Sequence, residues 1–81
     1  MNQIEIRKHL FRLLRSIAPE TEPEELRPDQ NIREALNIDS FDYLVLVTDI
    51  EETFGIETPE DDYGKIGTLE EIENYIQQKL P

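Results

Sequence analysis

The sequence predicts an all-α fold: a small four-helix bundle of three longer helices and one short third helix, with a long loop between the first and second. Three observations lead there. Apolar residues recur at spacings of three and four in three separate segments, the signature of one buried helical face. No stretch shows the strict alternation of a half-buried strand. Capping residues and prolines also punctuate the chain where the helical periodicity stops and starts.

The first helix is read from about Gln3 to Ile17. Ile6, Leu10, Leu13, Leu14 and Ile17 fall on one side of a helical projection, with Phe11 at its edge. Lys8, Arg12 and Arg15 lie opposite. Ala18-Pro19 stops it, because a proline disfavours helical geometry in the residue before it. His9 falls on the polar side with no cysteine or second histidine to share a metal, so it reads as a surface histidine.

Residues 18–38 form a long connection carrying Pro19, Pro23 and Pro28. A loop of this length needs anchors. Leu26, Ile32 and Leu36 are expected to supply them, with a turn or two of helix over Asn31 to Leu36. Asn37 suits a left-handed capping position.

The second helix is expected from about Ser40 to Phe54. Tyr43, Leu46, Val47, Ile50 and Phe54 make its buried stripe. The opposite face carries Phe41, Asp42, Val45, Thr48, Asp49 and Glu52: two apolar residues among polar ones, a pattern that suits a contact patch with an acidic rim. Gly55 supplies the C-cap. A short third helix then opens with Thr58 as N-cap and Pro59 at its first position, and closes at Gly64. Its acids lack the spacing of a calcium loop, so no metal is expected. Thr68-Leu69-Glu70-Glu71 is a capping box. It starts a fourth helix reaching about Leu80, with Leu69, Ile72, Ile76 and Leu80 inward and Tyr75 at the edge.

Composition narrows function. Eighty-one residues suit a single domain spanning 1–81, near the size at which one core suffices. Without cysteine the chain has neither disulfide nor thiol of its own. Nothing resembles a signal peptide or a membrane span, so a cytoplasmic protein without membrane insertion is expected. The net charge of −11 is uneven: residues 1–38 carry seven acids and six bases, residues 39–81 twelve acids and two bases. Such a field repels nucleic acid and favours encounter with basic protein surfaces.

Leu36-Asn37-Ile38-Asp39-Ser40-Phe41-Asp42 organises the chain. Asp39 is a helix N-cap, and Asp42 is placed to return a bond to its backbone N–H. Ser40 then lies in the first helical turn, facing water beside the positive end of the helix dipole, where an attached phosphate is tolerated. No hydrolase elbow surrounds it, and His9 lies far off in sequence, so no catalytic function is expected.

These residues resemble the prosthetic-group motif of acyl carrier proteins, Leu-Gly-x-Asp-Ser-Leu. Leu36, Asp39 and Ser40 are in register, with Asn37 for Gly and Phe41 for the final Leu. The resemblance continues through Glu51-Glu52-Thr53-Phe54, Pro59, Lys65-Ile66 and Leu69 to Ile76, and covers at least residues 36–81. It implies a monomeric carrier whose Ser40 bears 4′-phosphopantetheine from coenzyme A, attached by a phosphopantetheinyl transferase. Acyl thioesters on that arm would be supplied by a loading ligase or acyltransferase and used by synthases and other basic-surfaced enzymes. The face of Phe41, Asp42, Val45, Thr48, Asp49 and Glu52 would recognise those partners. Leu46, Ile50, Ile66 and Ile72 would line a shelter for the acyl chain. The pathway implied is fatty-acid, lipid or polyketide-type biosynthesis, and the departures of Val45, Thr58 and Phe41 from the primary-metabolism pattern point to a specialised carrier serving a lipid, polyketide or other secondary pathway. Two alternatives stand beside this reading: an aminoacyl or peptidyl carrier using the same arm, and an acidic helical adaptor with no prosthetic group.

Overall fold

The three amphipathic stripes become three long helices packed on a common core. The computed structural model describes residues 1–81 and contains no β-strand. Helix α1 spans Gln3–Ile17, capped by the Asn2 side chain, which accepts a bond from the Glu5 N–H at 2.8 Å. A 3₁₀ turn, Pro23–Glu25, and a single-turn helix α2, Ile32–Ala35, interrupt the long connection. Helix α3 runs Ser40–Phe54, a second 3₁₀ helix Glu60–Lys65, and α4 Leu69–Lys79.

Nineteen buried apolar side chains form one continuous core. On α3 its contributors are the predicted ones; α1 gives Ile6, Leu10, Leu13 and Leu14, with Ile17, predicted inward, only partly buried; and α4 gives Leu69, Ile72 and Ile76, with Leu80 only partly covered. Tyr75, expected at the edge, is buried instead. Its hydroxyl crosses to the second 3₁₀ helix and donates to Asp62 Oδ2 at 2.7 Å. Burial, reinforced by that bond, pushes the Tyr75 pKa up to about 12, while the same hydroxyl holds Asp62 below its ordinary value.

The long connection is held at several points. Pro23, Ile32, Leu36 and Ile38 are buried, and Leu26 is partly so. Backbone bonds from Ile32 N–H to the Gly67 carbonyl (2.9 Å) and from Glu70 N–H to the Pro28 carbonyl (3.0 Å) fasten it to the loop before α4 and to the first turn of α4. These bonds give backbone groups of the long connection partners outside it.

The third helix departs from expectation. It is 3₁₀ rather than α, and Pro59 precedes it in extended geometry with no side-chain cap. Thr58 turns into the protein: its N–H donates to Glu51 Oε2 at 2.7 Å. Its buried hydroxyl lies near the Tyr75 oxygen but out of hydrogen-bonding geometry. The 3₁₀ helix thus starts one residue later than local sequence suggests, with the Thr58 hydroxyl buried and not used as a cap. Gly64 lies inside the 3₁₀ helix instead of closing it. By contrast, Gly55 ends α3 with φ +66°, and Thr68 and Glu71 make both bonds of the capping box.

The core also contains a charge. Glu73 on α4 is only 2% exposed and accepts two bonds from Arg7 on α1, Nε to Oε2 at 2.6 Å and Nη2 to Oε1 at 2.7 Å. A two-pronged guanidinium–carboxylate pair specifies how α1 meets α4, but a buried pair adds little beyond what apolar residues of the same volume would give. Removing one partner is different, since it strands the other. Arg7→Ala is expected to destabilise the fold by about 3 kcal/mol, the low end for a buried pair because Arg7 is partly solvated. The paired change Arg7→Met with Glu73→Leu is expected to stay within about 1 kcal/mol of the parent. Urea unfolding of the three proteins checks this; equal losses in the single and double variants would contradict it.

Candidate functional site

The site is built by the turn that joins α2 to α3. Asn31 caps α2, its Oδ1 accepting from the N–H groups of Arg33 (3.0 Å) and Glu34 (3.2 Å). After one turn the chain closes on itself, with Ile38 N–H bonded to the Arg33 carbonyl at 2.9 Å and Asn37 N–H to the Glu34 carbonyl at 3.4 Å. This is a Schellman arrangement, and its left-handed position is Asn37, at φ +54°. Asparagine tolerates that region better than other residues bearing a Cβ, so replacement of the motif glycine costs little. Leu36 and Ile38, on either side, are both buried.

Asp39 follows in extended conformation, and its Oδ1 accepts from the Asp42 N–H at 2.8 Å. The expected return bond from the Asp42 carboxylate is not made. Aspartate is one methylene shorter than the Glu or Gln that completes a capping box, and Asp42 does not close the second half.

Ser40 is therefore the first residue of α3, and it is exposed. Its Oγ has one side-chain partner, Nη2 of Arg33, which donates to it at 3.0 Å. The guanidinium carbon also sits 5.1 Å from the centroid of the Tyr43 ring. Tyr43 is fixed in turn by its hydroxyl, which donates to the Ile66 carbonyl at 3.1 Å. Arg33, Ser40, Tyr43, Leu44, Glu60, Tyr63 and Gly64 line an open groove of about 410 Å³ between the start of α3 and the second 3₁₀ helix.

This environment does not activate the serine for catalysis by the chain itself. A guanidinium only donates hydrogen bonds and does not take up a proton. His9 stacks edge-on against Phe54, with ring centroids 5.9 Å apart, at the opposite end of α3. That end is about 20 Å from Ser40 along a helix of this length. The site instead suits an ester of phosphoric acid on Ser40. A fifteen-residue helix begins there, its first N–H groups and dipole favour negative charge, and an arginine reaches the ester oxygen.

The outer face of α3 lies beside the serine. Phe41 is 73% exposed, Leu44 48% and Val45 37%. With Thr48 and Asp49 they line a shallow depression. Thr48 and Glu52 are exposed, and Asp42 and Asp49 half-covered, so the six residues predicted for this face do share it. Thr48 contributes mostly its methyl group, because its hydroxyl donates back to the Leu44 carbonyl at 3.0 Å. Leu44 is an addition to the predicted surface. It lies about 100° around the helix from the buried Tyr43, on the flank where periodicity does not decide between core and solvent. Arg33, which reaches the serine, and Tyr63, which lines the groove beside it, are additions too, each from another element. Leu46, Ile50, Ile66 and Ile72 all lie within the closed core.

Residues 9–76 match the family described as the phosphopantetheine attachment site. The chain is 34% identical over 59 residues, 73% of each protein, to an acyl carrier protein of Thermosynechococcus vestitus. It is 41% identical over 54 residues, 67% of this chain and 68% of the relative, to an acyl carrier protein of Lactobacillus johnsonii. With a helical bundle matching in kind and a serine presented as a phosphate ester requires, the chain belongs to the acyl carrier protein family, with 4′-phosphopantetheine as its prosthetic group.

Proposed function

We propose that Ser40 is the attachment point of the arm, and that residues 1–81 act as one cytoplasmic carrier domain passing acyl thioesters between enzymes of a specialised lipid or polyketide-type pathway. The observation that carries this is the exposed Ser40 hydroxyl at the first residue of α3, capped by Asp39 and touched only by Arg33. The arm supplies the thiol that a chain without cysteine lacks. Attachment joins Ser40 Oγ to the phosphorus that bears the pantetheine of coenzyme A. The pyrophosphate bond breaks, adenosine 3′,5′-bisphosphate leaves, and the serine proton passes to a base of the transferase.

The protein's own contribution is placement. Tethering raises the effective concentration of the thioester at each partner's active site. Loading ligases or acyltransferases, synthases and the transferase all meet the same outer face of α3. Phe41, Leu44 and Val45 give that face an apolar centre, and Asp42, Asp49 and Glu52 an acidic rim that speeds encounter with basic surfaces. Sheltering of the acyl chain among Leu46, Ile50, Ile66 and Ile72 requires this closed core to part. It predicts shifted methyl resonances for those four residues on acylation, and unmoved resonances would reject it.

Incubation with coenzyme A and a broad-specificity transferase is expected to add one phosphopantetheinyl group to the intact mass, and none to Ser40→Ala. Modification of Ser40→Ala, or none of the parent, would contradict the assignment. In the same reaction Phe41→Ala is expected to lower kcat/KM about tenfold, as loss of a central aromatic anchor does. Asp49→Asn with Glu52→Gln should flatten the dependence of kcat/KM on ionic strength. A Phe41→Ala protein modified at the parental rate would remove the recognition face from that step.

A further inference from the structure

Arg33 is a cation kept in place without a counter-ion. Of the five arginines, Arg7, Arg15 and Arg27 each hold a carboxylate, those of Glu73, Glu24 and Asp29. Arg12 reaches the His9 ring. Arg33 makes no ion pair, although the chain has nineteen acids and Glu60 lines the same groove. Arg12 likewise makes no ion pair; what sets Arg33 apart is that its guanidinium is held against the serine oxygen and an aromatic ring.

Besides the N–H bond to Asn31 Oδ1, three contacts fix Arg33. Its carbonyl accepts the Ile38 N–H in the turn after α2. Its guanidinium lies over the Tyr43 ring, an attraction that grows as the cation is screened from water. Nη2 donates to Ser40 Oγ. That bond uses one of five guanidinium N–H groups. The others stay available beside the oxygen that becomes the bridging atom of a phosphodiester once Ser40 is modified. The non-bridging oxygens of that diester carry one negative charge and lie one phosphorus away from Oγ. A planar guanidinium matches two such oxygens with parallel hydrogen bonds, where a lysine offers only a point charge.

We propose that Arg33 pairs with the phosphodiester of the arm, making it the residue that positions the arm's first segment beside the Tyr43–Tyr63 groove and neutralises the charge which modification adds to an acidic face. The inference rests on Ser40 being the attachment point. Arg33 is a positioning residue here: its guanidinium already reaches Ser40 Oγ in the unmodified chain, so it needs no large rearrangement to meet the diester.

The test compares fully modified parent, Arg33→Gln and Arg33→Lys proteins, with modification verified by intact mass and folding by amide NMR spectra. In the parent, the Arg33 Nε–Hε resonance is expected to shift when the apo protein is converted to the modified form. The phosphorus-31 resonance of the diester is expected to move in Arg33→Gln and to lie between the two in Arg33→Lys. Sodium chloride should move the parental phosphorus signal toward that of Arg33→Gln and leave the variant's signal unchanged. Superimposable phosphorus signals in parent and Arg33→Gln, with an unmoved Arg33 side chain, would overturn the pairing while leaving the Ser40 assignment intact. Failure of the parent to gain mass would overturn both.

Discussion

The left-handed turn at Asn37 is the constraint on which the rest of the site depends. Leu36 and Ile38 are both core residues, and the chain between them must reverse from the end of α2 into the start of α3. Only a residue that accepts positive φ closes the turn after so short a helix. Once it closes, Asp39 is left extended with its carboxylate over the first turn of α3, and Ser40 has nowhere to point but outward. The same turn places Arg33 against the serine, because the Arg33 carbonyl is what Ile38 bonds to. Presentation of Ser40 and core packing are therefore one structural fact: the two apolar residues beside Asn37 fasten the serine's backbone to the bundle.

Helix α3 has two faces with different duties, and its composition shows it. One side supplies Tyr43, Leu46, Val47, Ile50 and Phe54 to the core. The other keeps Phe41, Leu44 and Val45 exposed among acids. Exposed apolar groups of this kind add no stability to the free protein and tend to cluster where a partner covers them. The fold is held by other means: a continuous core, the buried Arg7–Glu73 pair, and the Tyr75–Asp62 bond, which ties α4 to the 3₁₀ helix flanking the groove. Stability is thus concentrated away from the exposed outer face of α3, which leaves that face free to vary.

Most of this architecture is legible in the sequence because it is local. The bounds of α1 and α3 follow from apolar stripes punctuated by Pro19, Asp39 and Gly55, and the start of α4 from a capping box whose two bonds span four residues. The left-handed Asn37 is legible for the same reason. What escapes is non-local. Glu73 looks like one more surface acid until Arg7, sixty-six positions away, is found holding it in the core. Thr58 looks like an N-cap, but its side chain is drawn into the protein and the 3₁₀ helix begins after Pro59 without a side-chain cap. Arg33 approaches Ser40 across a chain reversal, where helical spacing has no meaning. Leu44 lies on the flank of α3, where periodicity does not separate core from solvent.

If the turn at Asn37 is what fixes the serine, the backbone around it must be as rigid as the helices it joins. Nitrogen-15 relaxation of the modified protein measures this directly, residue by residue. Order parameters for residues 36–42 are expected near the value of about 0.85 that marks rigid backbone, equal to those in the middle of α3. Values below about 0.6 at Asn37, Ile38 and Ser40 would mean that the arm is carried on a mobile loop, and would contradict a serine held in place by the core.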